Sequence, residues 1–399
     1  MKYLVLIPDG SADHVRSDLG GKTALGAADT PNLDRLARSG RIGLVRTVPE
    51  GFPPGSDVAN LCVLGYDPHL YYTGRAPLEA ASLGIALGPA DVAFRLNLVH
   101  VEDGVMRDFS AGHIGTDEAR QLIKALAEVV AAAGGRVYPG LSYRHIMVTD
   151  GRGLKAECTP PHDITGLPVA DHLPRGEDSE WLRGLMEASA AVLKDHPVNR
   201  ARLSNGKAPA TMIWLWGQGT APRMPTFKSR FGLTGAVISA VDLVKGLGVN
   251  AGLDVIDVPG ATAFLDTDYH AKAVYALRAL ERHDLVYVHV EAPDEAAHMG
   301  SVTEKVRAIE RFDRDLAGTL LNSMPSGPDY RIMVLPDHAT PVETRTHTAE
   351  PVPFLMYIPG MAGNPEQAFS EESASRYGFM IEDGWQLMQK FISGDPELI

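Results

Sequence analysis

Short apolar runs that end in turn residues recur along this chain and alternate with helical segments. The first is "YLVLIPDG", in which a run suited to a buried strand stops at a Pro-Asp-Gly turn. A helix is predicted next, because Thr30 can act as N-cap, Pro31 suits the first helical position and Gly40 ends the pattern. Further strand candidates are "GAVISAV", "LDVIDV", "LVYVHV" and "RIMVLPD". We therefore predict an α/β fold with a mostly parallel sheet covered by helices on both faces.

The length of 399 residues exceeds what one hydrophobic core usually supports, so we expect two domains or one domain with an insertion. The middle of the chain differs in pattern, with a strand candidate at 92–101, a helix at 116–133 and a strand at 144–150. A loop rich in Pro and Gly follows. The predicted limits are 91–205 for a smaller inserted α+β domain, and 1–90 with 206–399 for the α/β domain.

The acidic balance of the chain limits its partners. A formal charge of -13 repels nucleic acid and anionic membranes. The N-terminal apolar run is too short for a signal peptide or a membrane span, and no Walker or dinucleotide motif supports a nucleotide site. Cys62 and Cys158 are too few for a disulfide scaffold and are expected to be reduced. We therefore expect a cytoplasmic protein that acts on a small molecule.

Side chains that bind metal ions follow several of the strand candidates. Asp294 and His298 are four residues apart, so they share one face of a helical turn and can meet one cation. Taken alone, this pair is better explained by a helix-start aspartate and a surface histidine. Asp337 and His338 are neighbours that would point apart in an extended segment, which suits two ions better than one. The full candidate set, expected to converge at the carboxyl ends of the strands, is Asp9, Asp294, His298, Asp337, His338 and His347.

One serine, Ser56, lies between a Pro/Gly-rich turn and the short helix candidate "SDVANLCVLG". A serine hydroxyl is a weak nucleophile near neutral pH and needs a base, or a cation that stabilises its alkoxide. No Gly-x-Ser-x-Gly elbow surrounds it, which disfavours an acyl-transfer triad. Backbone N–H groups at a helix start would face an incoming phosphate, so Ser56 with the metal ligands indicates phosphoryl transfer. Without those ligands, a plain N-cap would be the preferred explanation.

Six motifs in order resemble the archaeal-type 2,3-bisphosphoglycerate-independent phosphoglycerate mutases, within the alkaline phosphatase superfamily. They are "LIPDG", "GSDVANLCVLGYDP", "YTGRAPLEAASLGI", "GAVISAVDLVKGLG", "HVEAPDEAAHMG" and "LPDHATPVETRTHTAEPVPF". The resemblance implies two divalent ions, manganese or magnesium, with cobalt or zinc as alternatives. The ligand sets that it implies are Asp294, His298 and His347 for one ion, and Asp9, Asp337, His338 and the Ser56 oxygen for the other.

The same resemblance implies that Ser56 takes phosphate from 3-phosphoglycerate as a phosphoserine and returns it to the 2-hydroxyl of the retained glycerate. The inserted domain would act as a lid that excludes water. The expected enzyme is a phosphoglycerate mutase that needs neither bisphosphoglycerate nor a nucleotide. A phosphomonoesterase or another phosphosugar mutase is the closest alternative, and a non-catalytic metal-binding protein is a third. A homo-oligomer is compatible with the sequence.

A three-carbon acid with a carboxylate and a phosphate favours guanidinium groups, which bind both in bidentate fashion. The cationic candidates are Arg75, Arg95, Arg144, Lys228, Arg230 and Lys245, and the polar candidates of the insertion are His113, His145, His162 and Asp163. Each has an alternative as an ordinary surface, hinge or hydrogen-bonded polar side chain. The bacterial-type motif Asp-Gly-Arg-Asp-Thr-Pro-Pro does not occur in this sequence, so substrate residues of that branch are not transferred.

Overall fold

The computed structural model describes residues 1–324, 329–377 and 379–394, and the chain divides into two compact units. Unit 1 comprises Met1–Tyr72 and Arg223–Ile399, and unit 2 comprises Thr73–Pro222.

The strands are β1 (Lys2–Pro8), β2 (Arg41–Val45), β3 (Asp91–Glu102), β4 (Val105–Asp108), β5 (Gly135–Tyr138), β6 (Arg144–Asp150), β7 (Ala156–Glu157), β8 (Arg175–Gly176), β9 (Met212–Thr220), β10 (Gly235–Ile238), β11 (Asp254–Val255), β12 (Leu285–Val290), β13 (Tyr330–Val334), β14 (Val352–Tyr357) and β15 (Met380–Ile381).

The α-helices are α1 (Ala24–Ala27), α2 (Pro31–Arg38), α3 (Ser56–Val63), α4 (Pro68–Tyr71), α5 (Arg75–Ser82), α6 (Thr116–Ala132), α7 (Ser179–Lys194), α8 (Pro197–Ser204), α9 (Phe227–Phe231), α10 (Asp242–Asn250), α11 (Tyr269–Leu280), α12 (Ala292–His298), α13 (Val302–Arg311), α14 (Gly318–Ser323), α15 (Glu371–Arg376) and α16 (Leu387–Ser393). A π-helical segment, Phe312–Ala317, joins α13 to α14. Short 3-10 helices occur at Ser17–Leu19, Pro161–Ile164, Val169–His172 and Gly384–Gln386.

The described strands of unit 1 form one eight-stranded sheet in the order β11-β10-β12-β1-β13-β14-β2-β15. β14 is antiparallel to its two neighbours, and the other adjacent pairs are parallel. Alternate residues of the strands pack on opposite faces. Leu6 of β1 lies in a buried cluster with α2, α11 and α13. On the other face, Tyr3 contacts Phe391 of α16, and Tyr287 of β12 donates a hydrogen bond to Asn60 of α3. The predicted α/β fold is confirmed.

The starts of two helices show how local residues set where a helix begins. α2 begins at Pro31 with Thr30 as N-cap, although the Thr30 side chain makes no capping hydrogen bond. Ser301 caps α13, because its hydroxyl accepts a hydrogen bond from the Glu304 amide at 3.3 Å. Among the helices within residues 1–324, 329–377 and 379–394, none combines the length and apolar character that crossing a bilayer requires.

Unit 2 is built on an antiparallel sheet in which β3 pairs with β4, β6 and β9, and β5 pairs with β6. Phe94 of β3 packs with α6 and α7 on one face, while Ala93 packs with Ala80 of α5 on the other. α5 and β9 are therefore integral to this sheet. For that reason unit 2 begins at Thr73 and ends at Pro222, outside the predicted limits of 91–205.

Candidate metal centre and active site

The candidate metal ligands lie at one edge of the unit 1 sheet. β1, β12 and β13 are adjacent and parallel, so their carboxyl ends meet there. Asp9 follows β1 directly, Asp294 lies in α12 just after β12, and Asp337 lies in the loop after β13. Residues that are far apart in sequence are therefore brought together.

Asp294, His298 and His347 form what we call the first cation group. His298 Nε2 lies 3.1 Å from Asp294 Oδ2 and 3.1 Å from His347 Nε2. His347 Nε2 lies 3.6 Å from Asp294 Oδ1. Asp294 and His298 share one turn of α12, as their spacing predicts. Three ligand atoms this close can bind one divalent ion.

Asp9, Asp337 and His338 form the second cation group. His338 Nε2 lies 3.5 Å from Asp9 Oδ1 and 3.6 Å from Asp337 Oδ2. His338 falls in one set of atoms spaced for a metal ion with Asp9 and Asp294, and Asp337 falls in another with Asp9 and His289. The two side chains nevertheless lie close to each other and are not directed apart as in an extended segment. The reason is local, since the chain bends at these two residues instead of continuing β13 in extended form.

The carboxylates of the two groups lie close enough to repel one another. Burial raises the pKa of Asp9 well above its ordinary value, and the charges of Asp337 and Asp294 raise it further. Asp9 Oδ1 is buried and has no hydrogen-bond partner in the part of the chain that the structure describes. Buried negative charge of this density requires a counter-charge, and carboxylate oxygens with imidazole nitrogens suit divalent metal ions. The donor set therefore fits divalent cations.

The imidazoles of the two groups differ in their affinity for protons. Burial lowers the pKa of His338 to about 4, so its ring is neutral near pH 7 and offers a nitrogen lone pair. Burial also lowers the pKa of His298, but the hydrogen bond and the charge of Asp294 outweigh this and raise it to about 9. His298 Nδ1 donates to the Arg345 carbonyl oxygen at 2.9 Å, which leaves Nε2 to face the ligand position.

Ser56 is the first residue of α3, and the N-cap of that helix is Gly55. The alternative that Ser56 is a plain N-cap is therefore wrong. Its Oγ lies 3.1 Å from His338 Nε2. Asn60, one turn later, donates to the Ser56 carbonyl oxygen at 2.8 Å and to Asp337 Oδ2 at 2.7 Å. These contacts place the hydroxyl beside the second cation group, where the amides of the helix start suit an anion.

His289 belongs to this site, although it is not among the ligands predicted from the sequence. It is fully buried on β12, with Nε2 3.3 Å from Asp9 Oδ2 and 3.8 Å from Asp337 Oδ2. With Asp9 and Asp337 it forms one of the sets of atoms that are spaced for a metal ion. A signal was present in the sequence, because a histidine is unusual within the otherwise apolar run "LVYVHV".

Glu291 and Lys272 hold His289 from the side away from Asp9. His289 Nδ1 lies 3.1 Å from Glu291 Oε1, and Lys272 Nζ lies 3.1 Å from Glu291 Oε2. Lys272 also donates to the His289 carbonyl oxygen at 2.8 Å. Burial by itself raises the pKa of Glu291, but Lys272 and His289 outweigh it and lower that pKa. The ionised carboxylate therefore fixes the orientation of the His289 ring.

Unit 2 contains a separate set of polar side chains, the arginine cluster, which consists of Arg75, Glu79, Arg95 and Trp216. Arg75 Nε lies 3.1 Å from Glu79 Oε1, and Arg95 Nε lies 2.9 Å from Glu79 Oε2. The Arg95 guanidinium lies 4.3 Å from the centre of the Trp216 ring. Burial raises the pKa of Glu79, but the charges of Arg95 and Arg75 lower it below its ordinary value. One carboxylate against two guanidinium groups leaves a net positive charge that suits an anion.

The remaining candidates of unit 2 lie in varied surroundings. The His162 ring lies 5.2 Å from the Trp216 ring, and its Nε2 lies 3.5 Å from Asp163 Oδ1. Arg144 begins β6 and stacks on its neighbouring tyrosine. His113 is exposed at a turn with a φ of 47°. His145, in contrast, is buried in β6.

The three cationic candidates of unit 1 lie on or beside two helices. Lys228 and Arg230 are exposed on α9, and the Arg230 guanidinium lies 5.4 Å from the centre of the Tyr66 ring. Lys245 of α10 pairs with Asp257 at 2.8 Å. Their roles in substrate binding stay predictions.

A serine at a helix start beside carboxylates and imidazoles, at the carboxyl edge of an α/β sheet, is the arrangement of a metal-dependent phosphoryl-transfer enzyme. Comparison with known proteins narrows this class. A family model described as 2,3-bisphosphoglycerate-independent phosphoglycerate mutase matches residues 37–199. The chain belongs to this family, and the recognised resemblance is confirmed.

The relatives match over the whole chain. A 2,3-bisphosphoglycerate-independent phosphoglycerate mutase of Methanothrix thermoacetophila is 55% identical over 99% of this chain and 100% of its own. A probable enzyme of the same name from Geobacter sulfurreducens is 54% identical over 98% and 100%. Among solved structures, a Pyrococcus horikoshii protein superposes with a TM-score of 0.83 at 29% identity, covering 99% of this chain and 98% of that one. The cofactor-independent phosphoglycerate mutase of Thermoplasma acidophilum has a TM-score of 0.64 at 28% identity, covering 98% and 99%.

Proposed function

We propose that this protein interconverts 3-phosphoglycerate and 2-phosphoglycerate without bisphosphoglycerate, and that Ser56 carries the phosphoryl group between the two positions. One observation supports the role of Ser56 above all: its Oγ lies 3.1 Å from His338 Nε2, beside the buried second cation group. A purely structural metal site would have no use for a hydroxyl at that point. The family to which the chain belongs supports the choice of substrate.

The reaction would take two displacements at phosphorus. In the first, a bond forms between Ser56 Oγ and phosphorus while the bond from phosphorus to the 3-oxygen breaks, and the serine proton ends on the 3-oxygen of glycerate. In the second, the 2-hydroxyl of the retained glycerate attacks the phosphoserine, and its proton ends on Ser56 Oγ. Each displacement inverts the configuration at phosphorus, so two displacements retain that configuration overall.

Three parts of the chain would supply positive charge or hydrogen-bond donors for these steps. The first and second cation groups would hold two divalent ions, for which we propose manganese or magnesium, and the ions would offset negative charge on the transferred phosphoryl group. The amides at the start of α3 would face the same group. We propose the arginine cluster of unit 2 as a binding site for the carboxylate or phosphate of the substrate. The cytoplasmic location stays a prediction.

The test is an assay of 3-phosphoglycerate with coupled detection of 2-phosphoglycerate, run with and without bisphosphoglycerate. Ser56→Ala should lower turnover by about 10⁴-fold or more, in the range lost when a nucleophile is removed. Its melting temperature and metal content should stay close to those of the wild type. The matched control is Ser204→Ala, which removes an exposed hydroxyl that donates to the Arg200 carbonyl oxygen.

Three results would count against the proposal. Full turnover by Ser56→Ala would remove the phosphoserine step. Stoichiometric release of inorganic phosphate would indicate a phosphomonoesterase, and a requirement for bisphosphoglycerate would indicate a different class of mutase. Mass spectrometry of the peptide that contains Ser56, after quenching during turnover, should find the phosphate on this serine.

A further inference from the structure

Thr340 lies between the two cation groups and touches both of them. It is fully buried in the loop after β13, two residues beyond His338. Its Oγ1 lies 2.6 Å from Asp294 Oδ1, in the first cation group. The same oxygen lies 3.1 Å from His338 Nδ1, in the second cation group. One hydroxyl therefore joins a carboxylate of one group to an imidazole of the other.

The chemistry of the hydroxyl fixes the direction of these hydrogen bonds. A threonine hydroxyl has one proton to donate and lone pairs that accept. The Asp294 carboxylate accepts that proton, so the contact with His338 requires Nδ1–H to donate to Thr340 Oγ1. His338 Nε2 is then the nitrogen without a proton, and this nitrogen faces Ser56 Oγ at 3.1 Å and Asp9 Oδ1 at 3.5 Å. Thr340 thus selects the tautomer that can bind a cation.

The surroundings prevent Thr340 from moving away. Lys305 Nζ, which is buried, donates to the Thr340 carbonyl oxygen at 2.8 Å and to the Ala12 carbonyl oxygen at 3.0 Å. Lys305 also pairs with Asp13 at 2.9 Å. The Thr340 amide donates to the Ala12 carbonyl oxygen at 3.2 Å. The loop that carries Thr340 is therefore tied to the loop that follows Asp9.

We propose that Thr340 is a positioning residue that couples the two cation groups, because its single hydroxyl orients Asp294 in one group and His338 in the other. The hydroxyl bonds to one residue of each group, so its loss should disturb binding at both positions. This inference rests on the proposed use of these residues as metal ligands. It concerns metal binding, so it can be tested without turnover.

The experiment is a titration of metal-free protein with manganese, in which electron paramagnetic resonance measures the unbound ion. Thr340→Val keeps the shape of the side chain without its hydroxyl, and both binding steps should weaken by about 10–100-fold, as is typical when a residue that orients a ligand is lost. Thr340→Ser keeps the hydroxyl and should restore binding close to that of the wild type. The matched control is Thr344→Val, which removes an exposed hydroxyl of the same loop that bonds to backbone carbonyls.

The outcomes separate this inference from the proposed function. If the wild type binds no manganese, the proposed metal centre itself fails. If the wild type binds two ions and Thr340→Val binds both as tightly, or loses affinity at one step alone, the coupling fails. A serine variant as impaired as the valine variant would also overturn it. Circular dichroism of the metal-free proteins checks folding, and Thr340→Ala replaces the valine variant in the same titration if that variant does not fold.

Discussion

His145, His298 and His338 carry the same side chain in three different surroundings. Burial lowers the pKa of His145 to about 3 and that of His338 to about 4. Burial acts on His298 in the same direction, but the hydrogen bond and charge of Asp294 raise its pKa to about 9. His145 differs from the other two because its Nδ1 accepts a hydrogen bond from the Gly140 amide at 3.0 Å, within its own unit. Its ring is thus held neutral in the native state.

His145 should make the stability of unit 2 depend on pH. Its native pKa of about 3 lies below the ordinary value of 6.5. Below pH 6.5 the unfolded chain therefore binds a proton that the native protein does not, so the free energy of unfolding falls as pH decreases. Above pH 6.5 both states are neutral and the effect vanishes. Between pH 7.5 and 5.0, the free energy of unfolding of the wild type should fall by about 2 kcal/mol more than that of His145→Asn. The asparagine keeps an acceptor for the Gly140 amide.

Urea unfolding at both pH values, followed by tryptophan fluorescence, measures this difference. Trp214 and Trp216 lie in the same unit as His145 and report its unfolding. The matched control, His172→Asn, changes a partly exposed histidine of unit 2 and should keep the wild-type pH dependence. If the free energy of unfolding changes with pH equally in the wild type and in His145→Asn, the His145 ring does not cause the pH dependence of stability.

For single residues, the sequence could indicate which side chains can bind a metal ion, but not what surrounds them. Asp9, Asp294 and Asp337 were predictable because each follows an apolar strand candidate, and the carboxyl ends of parallel strands meet. His289 was missed because it lies inside its strand, where a side chain is normally assigned to the core. The role of Thr340 was equally hidden, since a threonine after a histidine carries no distinctive spacing.

At the scale of elements, the turns after the strands have to be compact because the loops approach one another closely. Gly10, in the turn after β1, has a φ of +59°, and a Cβ there would lie 2.4 Å from Asp294 Oδ1 and 2.6 Å from Thr340 Oγ1. The Pro-Asp-Gly turn was visible in the sequence. The close approach was not, because Asp294 and Thr340 come from distant segments. For a similar reason, the inclusion of α5 in unit 2 was not predictable, since it depends on packing against β3 and β9.

Gly10→Ala should weaken metal binding as well as stability. An alanine in the left-handed region costs about 1–2 kcal/mol by itself. At Gly10 the new methyl group must also displace Asp294 or Thr340. Gly20 is the matched control, because its φ is +66° and a Cβ there would meet nothing within 4 Å. Thermal unfolding of the metal-free proteins and manganese titration should show both defects for Gly10→Ala, and only the modest loss of stability for Gly20→Ala. If Gly10→Ala and Gly20→Ala lose the same stability and bind manganese equally well, the close approach of Asp294 and Thr340 to Gly10 does not constrain the site.

At the scale of the whole molecule, the two units divide the chemistry. Every candidate metal ligand and Ser56 lie in unit 1, whereas the arginine cluster lies in unit 2. The alternation of strands and helices was enough to predict a discontinuous α/β domain with an inserted α+β domain. The first and last residues of unit 2 were less predictable, because the pairing of β3 with β9 joins segments that are distant in sequence. This division means that metal ions should stabilise one unit directly.

Removal of divalent ions should therefore loosen unit 1 and leave unit 2 largely unchanged. Without cations, Asp9, Asp294 and Asp337 repel one another in a buried site, whereas each bound ion adds about 2.7 kcal/mol when its free concentration is 100 times its Kd. Hydrogen exchange measured by mass spectrometry, with chelator and then with added manganese, should show reversible loss of protection in β1, β12 and β13. Protection in β3, β6 and β9 should not change. His347→Ala, which lacks one ligand of the first cation group, should show a smaller difference between the two conditions. Equal loss of protection in both units would mean that the ions stabilise the molecule in some other way than through these ligands.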